Sequence, residues 1–402
     1  MKYNNKFELP SEINLLMVAS QLTLDTTGLN RMKNLISSNI EWPTIMSYSK
    51  KFGIQPFLFS HINQHRLMSY IPDTYYQMLK HAYQKQAMQT LYLKRQISEL
   101  KELLSAKKIE FCLIKGAELI ETIYSQTPVR CMSDIDILCH YDNMSTISNI
   151  LKSHGYMQKT MHQGKALESL FTHRKHFPPF FHKNRHTIEI HFNLFSGLSI
   201  DESYTQNAWS TAVHEPDSSQ CHLSKEHHLI FMCNHLAYHI LSPQEGLVLY
   251  WFCDINEWIK KYHSQMNWHF LENLPYKQLK DNIFFILKII QQEWDAPVPS
   301  YVCHDHNHHN HMNLSTIFQK TIVDNGYQRK KRVIDYYKKI LLNKEEDWSI
   351  KKRVVYWFCL IFPQPGYVKD RYRVKKKVLI PLYMIVHPVI LILRGFKRFF
   401  LK

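Results

Sequence analysis

The sequence predicts an α+β fold, helix-dominated overall, in which helical regions flank a small mixed β-sheet. Three observations predict it. Long stretches carry apolar residues at helical spacing, three short central segments have the apolar or alternating pattern of strands, and only ten glycines occur among 402 residues. So few glycines argue against a sheet-dominated chain with many tight turns. The length allows two or three packed units with a large core.

Residues 1–105 read as an N-terminal helical region. Its patterns are SEINLLMVASQL, with Ser11 as the candidate cap, a segment over 42–61, and a long helix over 75–104. Residues 106–220 form the mixed core. Phe111-Cys112-Leu113-Ile114 reads as a short buried strand, Lys115-Gly116-Ala117 as a tight turn, and 118–124 as a helix that Thr127-Pro128 ends. The run Ser133-Asp134-Ile135-Asp136-Ile137-Leu138 is the next strand. A helix over 143–154 follows, closed by Gly155 in a left-handed cap. Thr187 to Leu194 alternates strictly, with Thr187, Glu189, His191 and Asn193 on one face. Residues 221–350 return to helix, over 227–241 and 246–262, with a histidine-rich loop. Residues 351–402 are a basic, apolar tail.

The chemistry concentrates in the core. Asp134 and Asp136 are separated by one residue of a strand, so both carboxylates project from one face, and Glu189 adds a third acid from another strand. Three carboxylates suffice for magnesium, which takes oxygen ligands and keeps waters and substrate phosphates in its shell. A strand, a glycine turn and a helix start ahead of the acids offer backbone N–H groups to an anionic phosphate. Lys115 and Arg130 are the candidate phosphate cations. An Asp-x-Asp pair also occurs on ordinary surface strands, and both cations read equally as solvated or as partners of the acids.

LIKGAELIETIY, RCMSDIDIL, the HGY of 154–156 and IEIHFNL together resemble the uncharacterised nucleotidyltransferase family of the DNA polymerase beta superfamily. The resemblance runs over most of the chain, including a long helix before Lys-Gly-Ala and downstream helices bearing Asn234, His235, His239 and Asp254. It implies a nucleotidyltransferase-like core at 106–220 and transfer of a nucleoside monophosphate from a nucleoside triphosphate to an acceptor. It further implies Mg2+ or Mn2+ on Asp134, Asp136 and Glu189, with Lys115, Gly116, Ala117, Arg130 and Ser133 at the nucleotide. Ala117 stands where many active superfamily members have serine or a second glycine, and the interval to Asp134 is longer than in most of them. The expected role is an enzyme of this kind, acting in surface-polysaccharide or peptide-modification pathways of a bacterium. The alternative is a non-catalytic relative that binds nucleotide or a partner, as a scaffold recruited to the membrane surface by its basic tail.

Histidine is abundant, at 25 residues. The run from His304 to His311 has the composition of a metal-binding tract but lacks fixed ligand spacing, and reads first as a polar loop. His235 and His239 lie at i, i+4, and with His176 and His191 they are candidates for lining the cleft. Eight cysteines without a Cys-x-x-Cys pair read as reduced thiols, and the N-terminus shows no export signal. A cytoplasmic location is expected.

The tail from 351 to 402 carries thirteen Lys and Arg against one acid, Asp370, and so holds +12 of the net +16. Within it, residues 378–393 are apolar between Lys375-Lys376-Lys377 and Arg394. Sixteen residues interrupted by Pro381, His387 and Pro388 fall short of a bilayer span. The tail therefore reads as a peripheral contact with an anionic membrane surface or as a segment packed on the helical region. Nucleic acid is the disfavoured partner, since no base-stacking sheet platform is apparent.

Overall fold

The computed structural model describes residues 9–158, 176–195, 202–241, 248–303, 314–322, 365, 368, 372, 374 and 377–400. The histidine run 304–311 lies outside them. Five helices come first: α1 (Ser11–Ala19), α2 (Thr26–Ser37), α3 (Trp42–Lys51), α4 (Gln55–Gln64) and α5 (Asp73–Ser105). Ser11 is the first helical residue and not the cap. Pro10 occupies the cap position, and no side chain caps the helix. The segment expected as one helix over 42–61 is two, because Gly53 at φ +71° turns the chain and Pro56 restarts it at the head of α4.

The core elements follow as β1 (Phe111–Leu113), α6 (Gly116–Thr122), β2 (Asp134–Cys139), α7 (Met144–Ser153), β3 (Met157–Gln158), β4 (Phe180–His182) and β5 (Arg185–His191). Gly155, at φ +82°, closes α7 as its position in the sequence requires. Next come α8 (Glu202–Ser210), β6 (Val213–His214), β7 (Gln220–His222), α9 (Lys225–Leu241), α10 (Tyr250–Tyr262), α11 (Trp268–Glu272), α12 (Lys277–Trp294), α13 (Leu314–Ile322) and α14 (Ile380–Phe400).

The strands form one mixed sheet in the order β3-β4-β5-β2-β1-β7-β6. β2 runs antiparallel to β1 and parallel to β5, and β1 runs parallel to β7. Ile135 and Ile137 of β2, and Ile188 and Ile190 of β5, are buried on the face opposite the acids. One continuous apolar core extends from Ile13 in α1 to Phe318 in α13 and includes this face.

The long helix α5 fixes two backbone points that matter for the acids. Its 33 residues span about 50 Å at 1.5 Å each. Gln86, Thr90 and Gln96 are buried among its apolar positions, so each amide needs a partner. Gln86 donates to the Arg130 carbonyl at 2.8 Å. Gln96 donates to the His186 carbonyl at 2.9 Å and accepts from the His186 N–H at 3.0 Å. The approaches to β2 and β5 are thereby tied to one rigid rod.

Candidate functional site

Asp136 and Glu189 are direct partners in the parallel pairing of β2 with β5, and Asp134 is paired with Thr187. Adjacent strands lie about 4.8 Å apart, so this register sets two carboxylates side by side. One oxygen each of Asp136 and Glu189 and one ring nitrogen of His191 all lie within 4.8 Å of one another. Asp134 lines the same cleft, with its Oδ1 accepting from the Ser133 hydroxyl at 3.1 Å. The cleft encloses about 350 Å³.

The charges around Asp136 are tightly arranged. Lys115 Nζ donates to Asp136 Oδ1 at 2.7 Å, and His191 Nε2 donates to the same oxygen at 2.8 Å. Burial alone would raise the Asp136 pKa, but Lys115 and His191 overcome it and hold the carboxyl far below its ordinary value. Burial would likewise lower Lys115, and the Asp136 carboxylate reverses this to leave the ammonium above its usual value. Asp134 behaves differently: burial first, then the charge of Asp136, push it upward. Glu189 Oε2 stands 3.8 Å from His191 Nε2 and 4.0 Å from His176 Nε2. His176 Nδ1 donates to the Phe177 carbonyl at 2.8 Å, which leaves Nε2 as the ring's accepting nitrogen in the neutral form.

The turn after β1 differs from the expected glycine turn. Lys115 itself takes the left-handed conformation, at φ 50°, while Gly116 does not. Gly116 is required for space: a Cβ there would sit 2.3 Å from Arg130 Nη1. Arg130 in turn forks onto Asp254 of α10, with Nε to Oδ1 at 2.9 Å and Nη2 to Oδ2 at 2.7 Å. The Tyr124 hydroxyl donates to Asp254 Oδ1 at 2.8 Å, and the guanidinium lies 5.1 Å from the Tyr250 ring centroid. Burial would lower the Arg130 pKa, but Asp254 more than compensates. This buried pair locks the turn before α6, the loop before β2 and α10 into one wall. Ala117 is fully buried beneath the turn.

The part of the cleft lining between α9 and α10 is aromatic. His235 and His239 on α9 have ring centroids 4.3 Å apart, and Trp251 on α10 lies 5.3 and 4.5 Å from them. All three line the cleft, as does His176. The cleft therefore gathers Asp134, Asp136, Glu189, Lys115, Gly116, Ser133, Arg130 and three of the four candidate histidines, His176, His235 and His239. His191 and Ala117 do not line it, both being fully buried, His191 against Asp136. Tyr250 and Trp251 were not legible as site residues. Asp254 carried a signal, because a carboxylate inside the apolar helical run YWFCDINEW must find a buried partner.

The donor set suits a hard divalent cation. Asp136 and Glu189 could supply oxygen ligands, and the His191 N–H steadies Asp136. Comparison with curated proteins returned no match, and comparison with solved structures returned none. A family model described as uncharacterised nucleotidyltransferase matches residues 38–292, a stretch that contains the sheet, the three acids and the helices that wall the cleft. The chain belongs to this uncharacterised nucleotidyltransferase family.

Proposed function

We propose that the protein transfers a nucleoside monophosphate from a nucleoside triphosphate to an acceptor hydroxyl, with Mg2+ or Mn2+ held by Asp134, Asp136 and Glu189. The observation that carries this reading is the register pairing of Asp136 with Glu189 at the floor of a cleft that also presents Asp134. Bound there, such ions would neutralise charge on the non-bridging oxygens and on the leaving group. Lys115, Gly116 and Ser133 line the end where the phosphates bind. Arg130, its fork committed to Asp254, shapes that end as a buried ion pair. The aromatic wall of Trp251, His235 and His239 offers ring faces to the nucleobase. Glu189 takes the proton of the acceptor hydroxyl as its oxygen bonds to the α-phosphorus. The bond from that phosphorus to the α–β bridging oxygen breaks, and pyrophosphate leaves.

Acceptors of surface-polysaccharide and peptide-modification chemistry are the first to screen. The basic tail would bring the reaction to the inner face of an anionic membrane. Val378, Leu382, Ile385 and Val389 support this placement: they recur at i, i+4, i+7 and i+11 and are 80, 54, 72 and 52% exposed. Among the described residues no helix is long and apolar enough to cross a membrane.

Incubation of the protein with Mg2+, each α-labelled nucleoside triphosphate and cell extract tests the transfer. Label should pass to an extract component with the wild type and not with an Asp134→Ala, Asp136→Ala variant whose melting curve shows it folded. Equal labelling by both proteins would refute it. A second reading, a non-catalytic nucleotide-binding relative, is favoured by Lys115 resting on Asp136. It predicts nucleotide binding with no label transferred.

A further inference from the structure

Group transfer needs a second substrate, and the cleft of about 350 Å³ matches a nucleotide alone. A separate groove of about 560 Å³ opens between α5 and the β4–β5 turn. It shares Ser133 with the cleft, and Thr187, on its wall, is the register partner of Asp134. Arg185, Thr187 and Glu189 alternate onto one face of β5, so the groove leads along a row of side chains to the acids. From Arg185 to Glu189 this row covers about 13 Å.

We infer that this groove binds the acceptor, and that the acceptor is a polyhydroxyl compound bearing a phosphate group. The inference rests on the nucleotidyl-transfer reading of the cleft. Three cations face the groove, Arg95, Lys183 and Arg185, against one acid, Glu99. Arg95 contacts Glu99 at 3.0 Å, and Arg185 also pairs with it, which holds the two guanidinium groups over the floor. Lys183 and Asn184, both exposed at the turn, add an ammonium and an amide. A phosphate matches this cluster, because guanidinium and ammonium donors bind its oxygens with charge-assisted hydrogen bonds. Amide and hydroxyl groups of Gln89, Asn184, Ser133 and Thr187 suit a polyhydroxyl body, and Tyr92, 64% exposed, offers it a ring face. The floor is fixed by the Gln96 hydrogen bonds to His186. The phosphate is anchored at Arg185 and Lys183 while a hydroxyl of the same molecule reaches Glu189.

The test uses the full chain, Mg2+, α-labelled nucleoside triphosphates and the small-molecule fraction of a cell extract, with a fluorescent triphosphate analogue as the nucleotide probe. A Lys183→Ala, Arg185→Gln variant should bind the analogue like the wild type. Its labelling at limiting extract should fall at least about tenfold, the size expected for one lost charge-assisted hydrogen bond, and recover as extract is raised. Arg185→Lys should retain part of the labelling. Extract treated with phosphatase, and then freed of it, should no longer be labelled. Undiminished labelling by the double variant would overturn the groove assignment, and undiminished labelling of treated extract would overturn the phosphate. A wild type that binds the analogue but labels nothing would sink the transfer reading and the acceptor groove with it.

Discussion

Asp136 and Glu189 stand opposite one another in a parallel strand pair, with Lys115 and His191 both bonded to the same oxygen of Asp136. That relationship turns a two-carboxylate strand motif into a three-acid cleft. It also means that Asp136 is already neutralised by the protein, so a cation entering the cleft must share or displace the Lys115 contact.

Gly116→Ala sets two effects against each other. Replacing a helical glycine by alanine ordinarily gains up to about 1 kcal/mol. Here the new Cβ would meet Arg130 Nη1 at 2.3 Å, and overpacking of this kind costs about 1–3 kcal/mol. The variant should be destabilised in chemical denaturation; a gain in stability would contradict the close contact.

Asp254→Ala leaves the Arg130 guanidinium buried without its carboxylate. Removing one member of a buried pair costs about 3–5 kcal/mol, whereas replacing both with apolar residues is often close to neutral. An Arg130→Met, Asp254→Leu variant should therefore be more stable than Asp254→Ala. Denaturant midpoints for the set measure this, and a double variant weaker than the single one would contradict it.

The three acids were legible in the sequence because strand alternation alone places Asp134 with Asp136 and exposes Glu189 from its own strand. Glu189's pairing partner was not legible, since register across β2 and β5 pairs residues 53 positions apart in the chain, Ile188 packing on Ile135's face. The strands β3, β4, β6 and β7 escaped because two or three residues cannot display a period of two. The apolar spacing revealed α1, α3 with α4, α5, α6, α7, α9 and α10, but α2, α8, α12 and α14 were not singled out, and the break at Gly53 was hidden inside an apolar pattern that runs through it. Lys115 in the left-handed region was unexpected beside a glycine, and the contact with Arg130 explains why the glycine is there.

Acidification should destabilise the fold through α9. Burial, with the positive His222 and Arg130 behind it, lowers His228 to about 3, and burial lowers His227 to about 4. Both are neutral in the native state and take up protons near pH 6.5 when unfolded. Their contribution is thus present above pH 6.5 and is lost as pH falls toward 4. Each should cost about 1.4 kcal/mol per pH unit in that window. Tm should drop between pH 7 and pH 5, and a His227→Gln, His228→Gln variant should lose less over the same interval. An equal loss would assign the acid sensitivity elsewhere.

The tail should respond to lipid charge. Wild-type protein should sediment with vesicles of phosphatidylcholine and phosphatidylglycerol, weakly with phosphatidylcholine alone, and less at high salt. Leu382→Ser, Ile385→Ser should abolish sedimentation without changing Tm, because both side chains are more than half exposed. Sedimentation that survives this change would contradict membrane contact.

Transfer of a nucleoside monophosphate at Asp136 and Glu189 can be followed with paired labels. The protein is incubated with Mg2+, extract and a nucleoside triphosphate labelled at either the α- or the γ-phosphorus. Nucleotidyl transfer should put α-label on the acceptor and release γ-label in pyrophosphate, with both lost in Asp136→Asn. Label from the γ-phosphorus on the acceptor, or α-label transfer undiminished in Asp136→Asn, would contradict it.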